Sequence, residues 1–172
     1  LDDYGFFSTK DDEQSIWESE QPTVIRIHTT QNETLQRAFA SMVFYGLYKG
    51  MFQRGIQDRI THSIIFDEAH RAARMKLIPT MAKECRKYGI SLVLASQEAK
   101  DFNESLFSAV GNYLALRLNE SDAKAFVKNV ASSDQEKKLV NQIKQMDSFK
   151  AVFFSGGRKT STNIRLYDLP DK

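Results

Sequence analysis

The sequence contains little cysteine, proline or glycine, and these shortages exclude several classes of protein. Its 172 residues include one Cys, three His, three Pro and eight Gly. A single Cys with three His excludes a disulfide framework and a cysteine-built zinc site. No apolar run approaches the ~18 residues that a membrane span needs, and no signal peptide opens the sequence. We therefore expect a protein without a membrane span, and the single cysteine fits a reducing compartment.

The composition predicts one hydrophobic core and an unusual beginning. Hydrophobic residues make up 41% of the chain and charged residues 27%, and the length suits a single domain. Residues 1–20 carry a net charge of −6, whereas the rest carries +8. We expect 1–21 to be an acidic linker or the end of an upstream element, and 22–172 to be the folded domain. The positive surplus permits a polyanionic partner such as nucleic acid, although many proteins with this surplus bind none.

Short apolar runs alternate with stretches of helical periodicity. The runs predict strands at 23–28, 63–66, 90–95 and 113–118. Strand and helix alternating in this way predict an α/β fold with a mainly parallel sheet and helices on both faces. Two further runs flank Gly156 and Gly157, which predicts a C-terminal β-hairpin.

Two adjacent acids, Asp67 and Glu68, follow the apolar run 63–66. Ligands of a parallel sheet bind at the carboxyl ends of its strands, and an apolar strand ending in two acids is the layout of a Walker B segment. In that layout the first acid holds the Mg²⁺ of a nucleoside triphosphate, usually through water, and the second polarises the attacking water. Acids at a strand end also cap the next helix, and both interpretations of this pair are open.

A glutamine follows the next apolar run. Gln97 lies 30 residues beyond Asp67, at the end of a strand that we expect to be a near neighbour in the sheet. Its amide would then be placed to sense the terminal phosphate or the attacking water. The structural alternative is a bond from the amide to loop backbone. Acids and glutamine together favour a nucleotide hydrolase.

These residues carry a resemblance to a known family. The segment from Ser63 to Gln97, which reads SIIFDEAHR and later ECRKYGISLVLASQ, resembles the second half of the ATPase core in the HerA/FtsK superfamily. This superfamily contains DNA-pumping helicases, conjugation ATPases and chromosome translocases. The run 113–118, with Asp122 shortly after it, is also similar, so the resemblance spans roughly residues 23–130.

The resemblance implies a RecA-like ATPase core, ATP and Mg²⁺ as cofactors, DNA as partner, and a cytoplasmic ring, usually a hexamer. It implies that Asp67 organises the magnesium, Glu68 is the catalytic base and Gln97 is the sensor. Arg86 resembles the arginine that reaches into the neighbouring subunit's site, where a planar, fixed charge stabilises the transition-state phosphate. An ordinary exposed residue of a basic helix is the alternative for Arg86. Restriction, phage defence, conjugation and end processing all use such motors, and the sequence does not choose between them.

The sequence departs from the family in one respect, because it has no G-x-x-x-x-G-K-[ST] phosphate-binding loop. The segment 156–160, GGRKT, lacks the first glycine at the required distance, and we expect it to be a hairpin turn. The family's loop precedes its Walker B segment. We therefore expect this chain to be the C-terminal part of a longer ATPase, incomplete on its N-terminal side and inactive alone.

Two alternative functions for this chain are open. Residues 67–70 spell DEAH, as in DEAH-type helicases, but those carry Ser-Ala-Thr where this chain has Ala-Ser-Gln at 95–97, and they continue into a second domain with an arginine-rich motif. A non-hydrolysing, ATPase-like scaffold domain of a DNA-processing complex is the second alternative. A thiol nucleophile built from Cys85 and His70 is disfavoured, because nothing in their spacing brings them into contact.

Overall fold

A computed structural model describes residues 16–27, 32–69, 75–155 and 161–167 of the chain. The described helices are α1 (Glu33–Gln53), α2 (Leu77–Glu84), α3 (Glu104–Ala109), α4 (Glu120–Val130) and α5 (Glu136–Lys144). The described strands are β1 (His62–Phe66), β2 (Ile90–Leu94), β3 (Asn112–Ala115), β4 (Lys150–Ser155) and β5 (Ser161–Arg165). Short 3₁₀ helices lie at Ile16–Glu18, Cys85–Tyr88 and Ala99–Asp101.

These strands form two separate sheets. β1 and β2 pair in parallel, with Ile64 opposite Leu92 and Phe66 opposite Leu94. β3, β4 and β5 form an antiparallel sheet with β4 in the centre. The predicted α/β class with a parallel sheet and a C-terminal hairpin is therefore confirmed. The predicted turn at 156–160 lies outside the described residues.

The strand predicted at 23–28 is wrong for residues 23–27, which have no regular secondary structure. Val24 is 77% exposed and Ile25 is 40% exposed, so this apolar run enters neither core. A strand is stable only when its backbone groups pair with a neighbour, and none of the described strands pairs with this segment. His28 lies outside the described residues.

Helices α1, α2 and α3 cover one face of the parallel pair. Phe44 of α1 contacts Phe66 of β1, with ring centroids 4.8 Å apart. Around them lies an apolar cluster from α1, α2 and both strands that includes Met51, Ile64, Ile78, Met81, Ile90, Leu92 and Leu94. On the opposite face, the paired side chains of Ile65 and Val93 are 72% and 45% exposed.

A second apolar cluster lies between α4, α5 and the antiparallel sheet. Phe126 of α4 packs edge to face against Phe154 of β4 at 5.5 Å between centroids, and both are buried. One ion pair joins the two helices, since Glu120 of α4 lies 2.6 Å from the Lys144 ammonium of α5. Within α4, Glu120 also lies 2.7 Å from the Lys124 ammonium. Hydrogen bonds from these two lysines lower the pKa of Glu120 to about 2.

Trp17 joins the N-terminal segment to the first cluster. Its ring lies edge-on to His62 at 5.6 Å and beneath the Arg54 guanidinium at 5.0 Å, and its carbonyl oxygen accepts a bond from His62 Nε2 at 3.1 Å. The indole also lies directly against the backbone of Gly50 in α1. A Cβ at residue 50 would lie 2.8 Å from Trp17 Cδ1 and still closer to Nε1, so only glycine permits this contact.

We predict that Gly50→Ala displaces Trp17 from α1, although alanine is the better helix former by about 1 kcal/mol. Trp17 is the only tryptophan of the chain, so intrinsic fluorescence should show a red shift and greater quenching by acrylamide.

Gly46→Ala is the matched control, since it lies on the same helix and a Cβ there has no neighbour within 4 Å. It should gain the helix propensity and leave the emission unchanged. Identical spectra for the two variants would contradict the packing of Trp17 on Gly50.

Candidate functional site

The loops after β1 and β2 meet at one edge of the parallel pair. Asp67 and Glu68 follow β1 directly, and Gln97 follows β2 by three residues. Two backbone bonds continue the pairing past the strand ends, from Ala95 N–H to the Phe66 carbonyl at 3.0 Å and from Ala69 N–H to the Ala95 carbonyl at 2.8 Å. The two loops are therefore held together.

The structure places the side chains of Glu68 and Gln97 in contact. Gln97 Nε2 donates a hydrogen bond to Glu68 Oε1 at 2.9 Å. The Glu68 backbone has a φ of 53°, in the left-handed region that residues other than glycine rarely adopt. Such strain is held by its surroundings and is concentrated at functional sites. Here the two backbone bonds on either side of the turn hold it.

Asp67 is exposed beside this contact, and one of its oxygens, Oδ1, accepts the Glu68 N–H at 2.9 Å. Among the described residues, no group of three or more His, Cys, Asp or Glu side chains forms a metal site. A single exposed carboxylate fits Mg²⁺, which keeps several waters and is bound through one or two carboxylates together with substrate phosphates. Asp67 therefore suits a hydrated magnesium ion that arrives with a nucleotide.

Arg86 is the one candidate residue that the structure keeps apart from the others. It lies exposed in the 3₁₀ helix Cys85–Tyr88, and Gly89, in the left-handed region at a φ of 68°, turns the chain from that helix into β2. Arg86 therefore lies at the amino end of β2 and Gln97 at its carboxyl end. A strand of five residues, about 17 Å long, separates the two.

Asp122 has no signal in the sequence beyond the family resemblance, yet it is the one buried charged residue among those described, at 1% exposure. Its Oδ1 accepts the backbone N–H of Lys100 at 3.2 Å, and its Oδ2 accepts Asn119 Nδ2 at 2.6 Å. Asn119 in turn caps α4 by accepting the Asp122 N–H at 2.9 Å. The spacing Asn-x-x-Asp before an apolar helix is the sequence signal for this cap, but nothing in it indicates the bond to Lys100.

Of the weaker candidates, only Cys85 lies among the described residues, and its surroundings do not favour a nucleophile. Cys85 is buried and its thiol donates to the Ala82 carbonyl at 3.7 Å. Burial raises the pKa of this thiol, which disfavours the nucleophilic thiolate. His70 of the DEAH letters and the GGRKT segment both lie outside the described residues. No helix in the described parts of the chain is long and apolar enough to cross a membrane.

The sequence is similar to two curated helicases, while no family model matches it. It is 28% identical over 116 residues to the DNA double-strand break repair helicase HerA of Pyrococcus furiosus, a match that covers 63% of this chain and 21% of that protein. It is 27% identical over 86 residues to HerA of Sulfolobus acidocaldarius, covering 50% of this chain and 17% of that protein. The chain thus spans about a fifth of the length of these relatives.

Solved structures share the fold at low sequence identity. The genome packaging NTPase B204 of Sulfolobus turreted icosahedral virus 2, in complex with AMPPCP, matches with a TM-score of 0.58 and 14% identity, over 77% of this chain and 63% of that one. The bacterial conjugative coupling protein TrwB matches with a TM-score of 0.62 and 12% identity, over 78% of this chain and 38% of that one. The resemblance to HerA/FtsK-type P-loop ATPases and the RecA-like fold are both confirmed.

Proposed function

Starting from this resemblance to HerA/FtsK-type P-loop ATPases, we propose that the chain is the C-terminal part of an ATP-dependent DNA translocase or helicase motor. The observation that carries the proposal is the contact between Glu68 and Gln97 beside Asp67, at the carboxyl edge of the parallel pair. This edge is where ligands of parallel sheets bind. The three side chains there have the types that Mg²⁺ binding, base catalysis and phosphate sensing require.

In this proposal each side chain has a separate role in hydrolysis. Asp67 would hold the hydrated Mg²⁺ that accompanies ATP. The charge that this ion supplies neutralises the phosphates. The Glu68 carboxylate accepts a proton from the attacking water, and this raises the nucleophilicity of the water oxygen. The Gln97 amide now donates to Glu68, and the terminal phosphate would offer the same donor a competing acceptor. Gln97 therefore links the position of the base to the presence of the phosphate.

The arrangement of the sheets supports the view that another segment supplies the phosphate-binding loop. Among the described residues β2 and β3 lie in different sheets, although one continuous sheet is usual in such a core. One face of the parallel pair also exposes Ile65 and Val93, whereas parallel sheets are normally buried on both faces. We propose that a P-loop strand enters between the two sheets and that its helix covers this face.

We predict that the 172-residue chain alone shows no saturable binding of Mg-ATP, because the backbone amides and lysine that grip the phosphates are missing. Supplying the P-loop segment of the same protein should create binding with a Kd in the micromolar range typical of a specific site, roughly −8 kcal/mol. Isothermal titration calorimetry measures Mg-ATP binding by the chain alone and by the chain supplied with the P-loop segment.

Asp67→Ala in the complemented protein should weaken the Mg²⁺ dependence of binding. Glu104→Ala changes an exposed acid in the first turn of α3 and should leave the Mg²⁺ dependence of binding unchanged. Saturable, Asp67-dependent binding by the chain alone would contradict the incomplete-core proposal.

We predict that Glu68→Gln in the intact protein abolishes ATP hydrolysis while sparing ATP binding. The amide keeps the shape of the side chain but cannot accept the proton of the attacking water, so kcat should fall by roughly 10²- to 10⁴-fold. A phosphate-release assay gives kcat, and titration with a non-hydrolysable ATP analogue gives the Kd.

Glu104→Gln makes the same chemical change at an exposed acid that has no proposed role in hydrolysis, and it should leave both quantities unchanged. Turnover that survives Glu68→Gln would remove the catalytic assignment and favour the non-hydrolysing scaffold.

We further propose that Arg86 acts on the site of a neighbouring subunit in a ring, with DNA as the substrate that the ring moves. Its distance from Glu68 and Gln97 along β2 supports action in trans, because an arginine side chain does not span a five-residue strand. The +8 charge of residues 21–172 supports a polyanionic partner. An arginine supplied by the neighbouring subunit makes hydrolysis depend on subunit contact.

We predict that Arg86→Ala lowers kcat by about 10³-fold, and that mixing it with Glu68→Gln subunits restores part of the activity. In the mixed ring, some interfaces combine Glu68 from one subunit with Arg86 from its neighbour. ATP turnover measured against the mixing ratio shows this.

Lys83→Ala, which removes an exposed charge nearby in α2, should keep full activity. Mixed rings with no recovery at any ratio would argue against action in trans.

A further inference from the structure

We propose that Asp122 is a positioning residue for Gln97, because its buried carboxylate fixes the loop between β2 and α3 that carries this glutamine. The inference rests on the proposed function, in which Gln97 senses the terminal phosphate. It assigns a role in the reaction to a residue on a different helix, α4, that does not itself touch Glu68 or Asp67 through any described hydrogen bond.

The bond from Asp122 to the loop is well defined. Asp122 Oδ1 accepts the N–H of Lys100 at 3.2 Å, three residues after Gln97. Asp122 is only 1% exposed, so water competes little for this acceptor. The bond therefore resists fluctuations that would break an exposed one.

Packing holds the loop at the same point. Ala99, the neighbour of Lys100, is buried in the cluster that contains Ala123 and Val127 of α4. At its other end the loop is tied to β1 through the two backbone bonds of Ala95. Gln97 thus lies between an anchor on β1 and an anchor on α4. Within this span the Glu98 N–H donates to Ser96 Oγ at 3.2 Å.

The chemistry of residue 122 explains why a carboxylate is required. Both oxygens of Asp122 face donors, the Lys100 N–H and Asn119 Nδ2, and an ionised carboxylate has acceptors alone. Asp122 also lies in the first turn of α4, where the helix dipole favours a carboxylate. An amide at this position would turn its own NH₂ group toward one of the two donors and lose that bond.

The first test measures the loop itself in the intact protein. Hydrogen–deuterium exchange of peptides covering 95–103 should become at least about 10-fold faster in Asp122→Ala, because the loop loses its anchor on α4. Asp122→Asn, which keeps the volume, should give a smaller increase.

Asn32→Ala is the matched control, since Asn32 caps α1 through the N–H groups of Thr34 and Leu35 and its loss does not involve this loop. Unchanged exchange at 95–103 in both Asp122 variants would overturn the proposal. Loss of protection throughout α4 and α5 in both variants would also overturn it, because Asp122 would then be a purely structural residue.

The second test asks whether Asp122 acts through Gln97. Asp122→Ala should lower kcat by roughly 10- to 100-fold with little change in the KM for ATP, and it should add little to the defect of Gln97→Ala. Such non-additivity is the signature of two residues that act as one unit. Additive losses would overturn the proposal.

The two proposals fail in distinguishable ways. If Glu68→Gln leaves turnover intact, the proposed hydrolytic function is wrong, while the exchange data still report whether Asp122 fixes the loop. If Glu68→Gln abolishes turnover and Asp122→Ala behaves like Asn32→Ala in both assays, only the role of Asp122 is wrong.

Discussion

The parallel pairing of β1 and β2 is the constraint on which the candidate site depends. Because the register sets Phe66 opposite Leu94, β1 and β2 end at the same level of the sheet. The loops that follow continue the pairing through Ala69 and Ala95. A shift of the register would separate Glu68 from Gln97 and leave the left-handed turn at Glu68 without support. Three polar side chains at one edge are thus a consequence of backbone geometry that the apolar strands enforce.

The segment after β2 connects the two hydrophobic clusters. β2 and Leu106 of α3 belong to the cluster beneath the parallel pair, whereas Ala99 between them belongs to the cluster around α4 and α5. The position of α4 relative to the parallel pair therefore bears on the loop that carries Gln97, because packed interiors deform little.

The sequence predicts those parts of the molecule whose cause is local. The apolar run before Asp67 and the run before Gln97 each depend on neighbouring residues, and the parallel sheet then brings the acids and the glutamine together. The run at 23–28 has the same local signal, but a strand also needs a neighbouring strand, which pattern alone does not supply. The bond between Asp122 and Lys100 depends on the packing of α4 against a distant loop, and no periodicity encodes it. The roles of the site residues stay predictions.

The two ends of β2 impose opposite requirements on an ATPase built from this chain. The carboxyl end brings two carboxylates and an amide together, and a cation there would balance the charge of the two carboxylates. The positive charge of Arg86 lies at the amino end, too far along the strand to contribute to that balance within one chain. If Arg86 serves hydrolysis, a second subunit must therefore present its amino edge to the carboxyl edge of the first. Such a head-to-tail contact uses different surfaces on the two subunits, and repeating it by a rotation that closes generates a ring.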